Sequence, residues 1–141
     1  MVSTKWFQEG DFSEILKIRE KVFIEELKCD SSEVSDEYDL FAKKILVLED
    51  NIPVGTGRLI FKNGRYEIDK LCVLREYRRK KYADLLIRML VRKSIEIGAS
   101  NTIAFCENKY KNLFTKIGFT MVSNENNIYL MNKKGDIVSH C

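Results

Sequence analysis

The sequence predicts an α/β (α+β) fold in which helices pack on the faces of a mixed sheet. First, two apolar, strand-like segments flank Asn63-Gly64, a two-residue hairpin signal because both positions tolerate positive φ. Second, a long amphipathic helix separates two further strand-like segments, which is typical of a crossover between parallel strands. Third, the 141 residues contain one proline and no low-complexity linker. We therefore assign residues 1–141 to a single domain.

The first half of the chain is predicted to contain one strand, one helix and a three-stranded meander. Asp11 or Ser13 can cap the helix, whose apolar residues recur at helical spacing. The polar, acidic segment 30–39 follows as a loop. The predicted strands are Val2–Phe7, Ile45–Leu48, Val54–Phe61 and Tyr66–Val73.

The second half is predicted to alternate helices and strands. The longest helix begins near Arg79–Lys81 and ends before Gly98, since glycine suits a left-handed C-terminal cap. Gly118 gives the same signal after a shorter helix, Lys109–Ile117. The remaining strands are predicted at Thr102–Cys106, Phe119–Val122 and Ile128–Met131. The predicted order is therefore β-α-β-β-β-α-β-α-β-β.

Composition argues against several classes of function. The chain has 24 basic and 21 acidic residues, and a net charge of +3 is too small for a dedicated nucleic-acid-binding protein. The single histidine, His140, lies next to the C-terminus. Serine–histidine–aspartate hydrolysis, cysteine–histidine proteolysis and histidine-rich metal sites are therefore not expected. We expect no metal, and chemistry carried out by carboxylates, tyrosines, backbone amides or a bound cofactor.

Cysteine spacing and hydropathy indicate the compartment. The four cysteines form no Cys-x-x-Cys pair, so we interpret them as reduced thiols. No apolar run approaches the roughly 18–20 residues needed to cross a bilayer. The segment Met1–Gly10 has no charged stretch leading into an apolar one, as a secretory signal would. We expect a cytoplasmic protein with no membrane partner.

The junction after the third meander strand carries the chemistry. That strand ends at Val73, and the basic residues Arg78-Arg79-Lys80-Lys81 stand where the long helix is predicted to start. Cations at a helix N-terminus are unfavourable by about 0.3–1 kcal/mol each, and a bound phosphate would remove this conflict. A solvated basic turn is the simpler alternative. Nucleic-acid contact through these residues and Arg75 is a further alternative, but we expect no interleaved exposed aromatic residues around the patch.

Several strings around this junction occur together. The string Arg78-Arg79-Lys80-Lys81-Tyr82-Ala83 begins five residues after Val73, and Asn108 precedes Phe114-Thr115-Lys116-Ile117-Gly118-Phe119. The first resembles the acetyl-CoA signature Arg/Gln-x-x-Gly-x-Gly/Ala of the GNAT superfamily of N-acetyltransferases, and the second resembles that family's asparagine and C-terminal helix motif. Three further segments look like motifs of one bacterial branch of the family: Arg19–Glu26, Asp36–Asp39 and Gly55–Leu59.

The resemblance implies a mostly antiparallel sheet in which the parallel strands ending at Val73 and Cys106 splay apart to hold the cofactor. It implies acetyl-CoA-dependent transfer of an acetyl group to a primary amine, by direct attack in a ternary complex. The acceptor is a small-molecule or protein amine, and the oligomeric state, a homodimer included, stays open. The residues implied in cofactor binding are Leu71, Cys72, Val73, Arg78, Arg79, Lys80, Lys81, Tyr82, Ala83, Asn108 and Phe114.

Two positions depart from the family pattern. Lys81 replaces the motif's glycine; if Lys81 is helical, its amide can still donate while its side chain folds over a phosphate. Phe114 stands where many relatives have a tyrosine that protonates the departing thiolate. Both departures favour the alternative function, a catalytically weakened GNAT-like module that binds CoA and regulates a partner.

Glu67 and Tyr110 are the candidate catalytic residues. Glu67 lies six residues before Val73, which by the period of two places both on one face, and it can act as a general base through water. An exposed strand glutamate or a substrate-recognition carboxylate is the alternative. Tyr110 lies one helical turn before Phe114 and can replace the missing phenol, or be a packing or surface tyrosine.

The remaining candidates have an ordinary structural alternative. Asn108 can contact the pantetheine arm or cap a helix. The acidic stretch Glu33–Asp39 can be a solvated loop or recognise a cationic amine. Cys72 and Cys106 lie in apolar strands without a histidine to activate them, so we interpret them as core residues.

Overall fold

The computed structural model describes residues 1–137, so His140 and Cys141 lie outside the described residues. The α-helices of the described residues are the short α1 (Ser13–Arg19), the long α2 (Tyr82–Glu96) and the short α3 (Lys111–Ile117). A π-helix, Glu20–Glu26, continues α1 directly. The seven strands are β1 (Val2–Phe7), β2 (Lys43–Glu49), β3 (Ile52–Lys62), β4 (Arg65–Val73), β5 (Asn101–Glu107), β6 (Thr120–Glu125) and β7 (Ile128–Lys134). Single 3₁₀ turns occupy Ser31–Glu33, Glu37–Leu40, Arg75–Tyr77 and Asn108–Tyr110.

The strands form one sheet in the order β1-β2-β3-β4-β5-β7-β6. Every neighbouring pair is antiparallel except β4 and β5, which are parallel. Apolar side chains of α2 and α3 bury one face of the sheet, and those of α1 pack against the other. This arrangement confirms the predicted mixed, mostly antiparallel sheet with helices on both faces. Within residues 1–137, no helix has the length and apolar character needed to cross a membrane.

The parallel strands β4 and β5 pair over only three residues each. Tyr66–Ile68 lie beside Thr102–Ala104, and beyond this point β4 and β5 continue to Val73 and Glu107 without pairing to each other. The two strands therefore separate toward their C-terminal ends, which confirms the predicted splay. The gap opens at the C-terminal ends of β4 and β5, where the chain leaves β4 for the loop into α2.

A bulge in β4 changes which residues share a face. Asp69 pairs with Arg58 of β3, and Cys72 pairs with Thr56. Between these two pairs β4 has two residues where β3 has one, and the first of the two, Lys70, is left-handed with φ +47°. Val73 consequently faces α2, whereas Glu67 faces the side of the sheet that carries α1. The expectation that Glu67 and Val73 share a face is therefore wrong, because the extra residue interrupts the period of two. Gly57 lies opposite the bulge, where an added Cβ would come within 2.8 Å of Leu90.

Most predicted elements are present with shifted ends. The hairpin at Asn63-Gly64 is confirmed, with φ values of +53° and +76°. Phe12, not Asp11 or Ser13, is the N-cap of α1, although the Asp11 carboxylate accepts a hydrogen bond from the Ser13 amide at 2.9 Å. The segment predicted as a plain acidic loop contains two 3₁₀ turns.

Candidate active site

The loop between β4 and α2 presents free backbone donors. Arg79 and Lys81 are left-handed, with φ values of +67° and +65°, whereas Lys80 between them is not. Within residues 1–137, the N–H groups of these three residues find no acceptor. The first N–H groups of α2 have no intrahelical acceptor either, since that is general at helix N-termini. Together these N–H groups can bind an anion such as a phosphate.

The basic residues stand before the helix, not in its first turn. Because α2 begins at Tyr82, Arg78–Lys81 belong to the preceding loop, and Asp84 is the charged residue of the first turn. The helix was predicted to start near Arg79–Lys81, and it starts slightly later, at Tyr82. The condition that Lys81 is helical is not met, since its backbone is left-handed. That conformation explains why the motif it resembles has glycine here, because glycine adopts positive φ without a Cβ penalty.

Replacing Lys81 by glycine is expected to stabilise the fold by about 0.5–1 kcal/mol, because the left-handed strain exceeds the extra entropy that glycine loses on folding. Urea denaturation measures the difference. Lys80→Gly is the matched control: Lys80 is the neighbouring exposed lysine with no positive φ, so its replacement should not stabilise. Equal effects of the two substitutions would contradict a strained Lys81.

Three side chains of the motif are held by partners. The Arg78 guanidinium donates two 2.6 Å hydrogen bonds to Glu26, at the end of the π-helix, and its Nε donates to the Val73 carbonyl at 3.0 Å. The pKa of Arg78 is raised by these bonds to Glu26 and, to a smaller extent, by nearby Tyr110. Lys80 donates to Glu49 at 2.9 Å, and Tyr82 donates to the same carboxylate.

The motif residues differ in what they can offer a ligand: some only a backbone group, others a free cationic side chain. The side chain of Tyr82 is buried, and its hydrogen bond to Glu49 raises the pKa of the phenol to about 12. Tyr82 can therefore offer a ligand its backbone amide, and Ala83 lies beside it in the first turn. Arg79 and Lys81 are exposed and make no ion pair within residues 1–137. Their cations stand beside the free amides.

The residues at the splayed strand ends are mostly apolar and buried. Val73 is the last residue of β4, and Cys106 is the last but one of β5. Both belong to the same buried cluster as Phe114. The Phe114 ring packs edge-on against Phe119 with ring centroids 5.1 Å apart. Leu71 packs on this cluster.

Cys72 faces the opposite side of the sheet and joins the cluster under α1. Burial raises the pKa of its thiol to about 12, so Cys72 stays protonated at neutral pH. Burial also raises the pKa of the Cys106 thiol. Both side chains are at most 7% exposed, which confirms their interpretation as core residues.

Glu67 is half-buried on the α1 face of β4, at the closed end of the splay. Burial raises the pKa of its carboxyl group, and the negative charge of Asp69 raises it further. Asp69 is the next residue of β4 on this face, immediately before the bulge. Glu67 therefore holds a proton more readily than an ordinary glutamate does, as expected of a general base.

A buried ionic network adjoins Glu67. Arg58, 1% exposed, donates to Asp69 at 2.8 and 2.7 Å and to Asp36 at 2.6 and 3.1 Å. These bonds outweigh burial and raise the pKa of Arg58. Arg19, 0% exposed, donates to both carboxylate oxygens of Asp39 at 3.0 and 3.1 Å. The acidic stretch is therefore partly buried and anchored to the sheet, and not simply solvated.

The β5 side of the gap is polar and exposed. Asn108 and Tyr110 are exposed in the 3₁₀ turn after β5, and neither side chain caps a helix. Asn108 lines a depression of about 580 Å³ that reaches the β6–β7 turn. The Tyr110 hydroxyl is thus free to meet a ligand, whereas the Phe114 ring four residues later is buried. Within residues 1–137, no cluster of three or more side chains suited to a metal ion is found.

Comparisons with known proteins decide the family. Residues 11–119 match the family described as Acetyltransferase (GNAT) family. The chain belongs to this family. It is therefore an enzyme, an N-acetyltransferase, and acetyl-CoA-dependent acetyl transfer is its general reaction.

Relatives of this GNAT chain cover most of its length. It is 30% identical to the uncharacterized protein YyaT of Bacillus subtilis over 120 residues, 83% of this chain and 81% of that protein. It is 26% identical to the uncharacterized N-acetyltransferase YjcF of the same organism over 115 residues, 82% of each chain. Its fold resembles the crystal structure of a Bacillus subtilis acetyltransferase in complex with CoA, with a TM-score of 0.75, 14% identity and 95% and 99% coverage.

The residues of this GNAT chain fit the cofactor. Three consecutive free amides, two unpaired cations and a gap between β4 and β5 suit the diphosphate and arm of CoA. Sequence reasoning named the segments that contain Glu26 and Arg58, but it assigned no ion pair to either residue and did not single out Asp69. Arg58 follows Gly57 within a predicted apolar strand, and this could have predicted an acidic partner, because a buried charge needs one.

Proposed function

We propose that the chain transfers an acetyl group from acetyl-CoA to a primary amine by direct attack in a ternary complex. The observation that carries this proposal is the gap between β4 and β5, which has free amides at its mouth and Glu67 at its closed end. Cys72 and Cys106, the cysteines of β4 and β5, are buried with raised thiol pKa values, which argues against an acetyl-cysteine intermediate on either of these two thiols. We also propose that residues 1–141 are one domain.

In this proposal the loop before α2 holds the donor. The amides of residues 79–81 and the side chains of Arg79 and Lys81 bind the diphosphate, and residues Leu71–Val73 offer backbone groups to the pantetheine arm. Acetyl-CoA supplies the acetyl group as a thioester. Asn108 contacts the arm from the β5 side, and Phe114 supports the slot from the core. Arg78 acts differently from its motif neighbours, because Glu26 and the Val73 carbonyl already engage its guanidinium.

Glu67 and Tyr110 handle the protons. Glu67 accepts, through water, the proton that the acceptor ammonium must lose before its nitrogen has a lone pair. Glu67 passes this proton on to solvent. The nitrogen then forms the bond to the acetyl carbon, the carbon–sulfur bond breaks, and the nitrogen gives up its second proton to solvent water. Tyr110 protonates the departing thiolate and regains a proton from solvent. The overall reaction converts ammonium and acetyl-CoA into the acetamide, CoA thiol and one proton.

Calorimetry with CoA and release of thiol from acetyl-CoA test the proposal. Arg79→Ala is expected to weaken CoA binding roughly 10-fold, because it removes a charged contact to phosphate. Lys17→Ala, which removes an exposed cation from α1, is the matched control and should leave binding unchanged. CoA binding without amine-dependent thiol release would contradict the proposal and favour a CoA-binding regulatory module. Absence of CoA binding at millimolar ligand would contradict both.

A further inference from the structure

The α1 face of the sheet is covered on only one side of the splay. The helix α1 packs on β3 and β4, whereas β5 and β7 carry large exposed apolar side chains on this face. Phe105 of β5 is 49% exposed and Ile128 of β7 is 40% exposed. We name Ile103, Phe105, Ile128 and Leu130 the apolar platform; Phe105 and Ile128 are exposed, Leu130 is half-buried and Ile103 is buried. Exposed apolar side chains close together on a sheet, such as Phe105 and Ile128, mark a place where a ligand or partner binds.

Strand register places the apolar platform next to Glu67. Glu67 pairs directly with Ile103, and Phe105 is the next residue of β5 on the same face. Phe105 in turn pairs with Leu130. Directly paired residues share a face and lie roughly 5 Å apart, so the platform begins beside the Glu67 carboxylate and extends away from it. Phe105 is also the first residue of β5 beyond its last pair with β4, where the splay begins.

Carboxylates flank the platform at both ends, and its inner end also carries cations. There, Lys62, Arg65 and Arg58 lower the pKa of Glu67 against the larger effects of burial and Asp69. Arg58 also donates two hydrogen bonds to Asp69, so the Asp69 carboxylate is already paired. Farther out, the cross-strand rows through Phe105 and Glu107 contain no lysine or arginine, and Glu107 and Glu125 flank Ile128. A surface of this kind favours a cation that carries an apolar group.

We propose that the acceptor is a primary amine attached to an aryl or alkyl group, whose ammonium meets Glu67 while its apolar group lies on Phe105 and Leu130. This inference rests on the proposed function and names its substrate class. A short polar amine or an amino sugar would leave Phe105 exposed to water. For a polyamine, the Asp69 carboxylate beside Glu67 is already paired with Arg58, and Glu107 lies four residues along β5 from Ile103, or roughly 13 Å away.

The test compares phenethylamine with ethanolamine and putrescine as acceptors of the acetyl group. We expect kcat/KM for phenethylamine to exceed that for the other two at least 10-fold. Phe105→Ala should lower kcat/KM for phenethylamine about 10- to 100-fold and change that for ethanolamine less than about 2-fold. Phe61→Ala is the matched control, because Phe61 is 59% exposed but faces the other side of the sheet.

Calorimetry of phenethylamine binding to the CoA-loaded protein gives a readout that needs no turnover. Loss of that binding in Phe105→Ala, with CoA binding intact, would support the proposal even if catalysis were slow. A preference for putrescine or ethanolamine, or a preference that Phe105→Ala does not alter, would overturn it and leave the proposed acetyl transfer standing. A dimer in sedimentation that dissociates in Phe105→Ala would assign the platform to a second copy and also overturn it.

Discussion

Glu67→Gln is expected to lower kcat by roughly 10²–10⁴-fold at neutral pH, because glutamine cannot accept the proton of the acceptor ammonium. The substitution keeps the size of the side chain and its place on β4. It also removes the negative charge that would attract the ammonium, so KM for the amine should rise. Measurement of kcat at saturating acetyl-CoA and amine separates the proton-transfer effect from weaker binding.

The pH dependence of kcat identifies the carboxylate. Burial and the charge of Asp69 raise the pKa of Glu67 above its ordinary value of 4.5. The base is active when deprotonated, so kcat should rise with pH through a midpoint above that value, and Glu67→Gln should lack this rise. Glu125→Gln is the control, since Glu125 is an exposed carboxylate of β6 on the same face. Unchanged turnover and an unchanged pH profile in Glu67→Gln would remove it as the base.

Asp39→Ala is expected to destabilise the fold by about 3–5 kcal/mol, because it leaves a buried arginine without its partner. Arg19 is 0% exposed and Asp39 is 3% exposed, and Ser35 also donates to the carboxylate at 2.9 Å. Lys44, itself 0% exposed, donates to the Asp39 carbonyl at 2.6 Å, so the same turn satisfies two buried cations. Urea denaturation measures the loss, and Asp39→Asn, which keeps the volume, should show a smaller one.

A partly exposed ion pair provides the control for this prediction. Asp84→Ala breaks the 2.6 Å pair with Arg88 within α2, and because solvent reaches both side chains the loss should be less than about 1 kcal/mol. A similar loss in Asp39→Ala and Asp84→Ala would show that burial of the Arg19–Asp39 pair has no energetic consequence.

The Asp39 carboxylate also predicts how stability depends on pH. Burial alone would raise its pKa, but the hydrogen bonds and charge of Arg19 lower it from 3.8 to about 2. Because the folded-state pKa lies below the unfolded value, the stabilisation is complete above 3.8 and is lost as pH falls toward 2. Asp39→Asn should flatten the stability profile in this window.

Local signals in the sequence were sufficient for most of the fold. The hairpin at Asn63-Gly64 and the helix that ends before Gly98 depend on neighbours in sequence, and both are present. The motif around Arg78 was also readable, because a loop that binds an anion draws its donors from consecutive residues. Glu67 was found as a candidate, but its face was predicted wrongly. No local feature of the sequence predicts the bulge. Lys70 looks like an ordinary strand residue in the sequence, and only the pairing of β4 with β3 shows that an extra residue is present there.

By itself, the sequence determined the order of the elements, the mixed sheet and the cationic loop before α2. Only the tertiary structure decided the partners of the charged residues, such as Arg78 with Glu26, 52 positions earlier. It also decided which side chains stand beside Glu67. The physical reason is range: hydrogen bonds within turns and helices join near neighbours, whereas buried ion pairs and strand register form only when distant segments pack together.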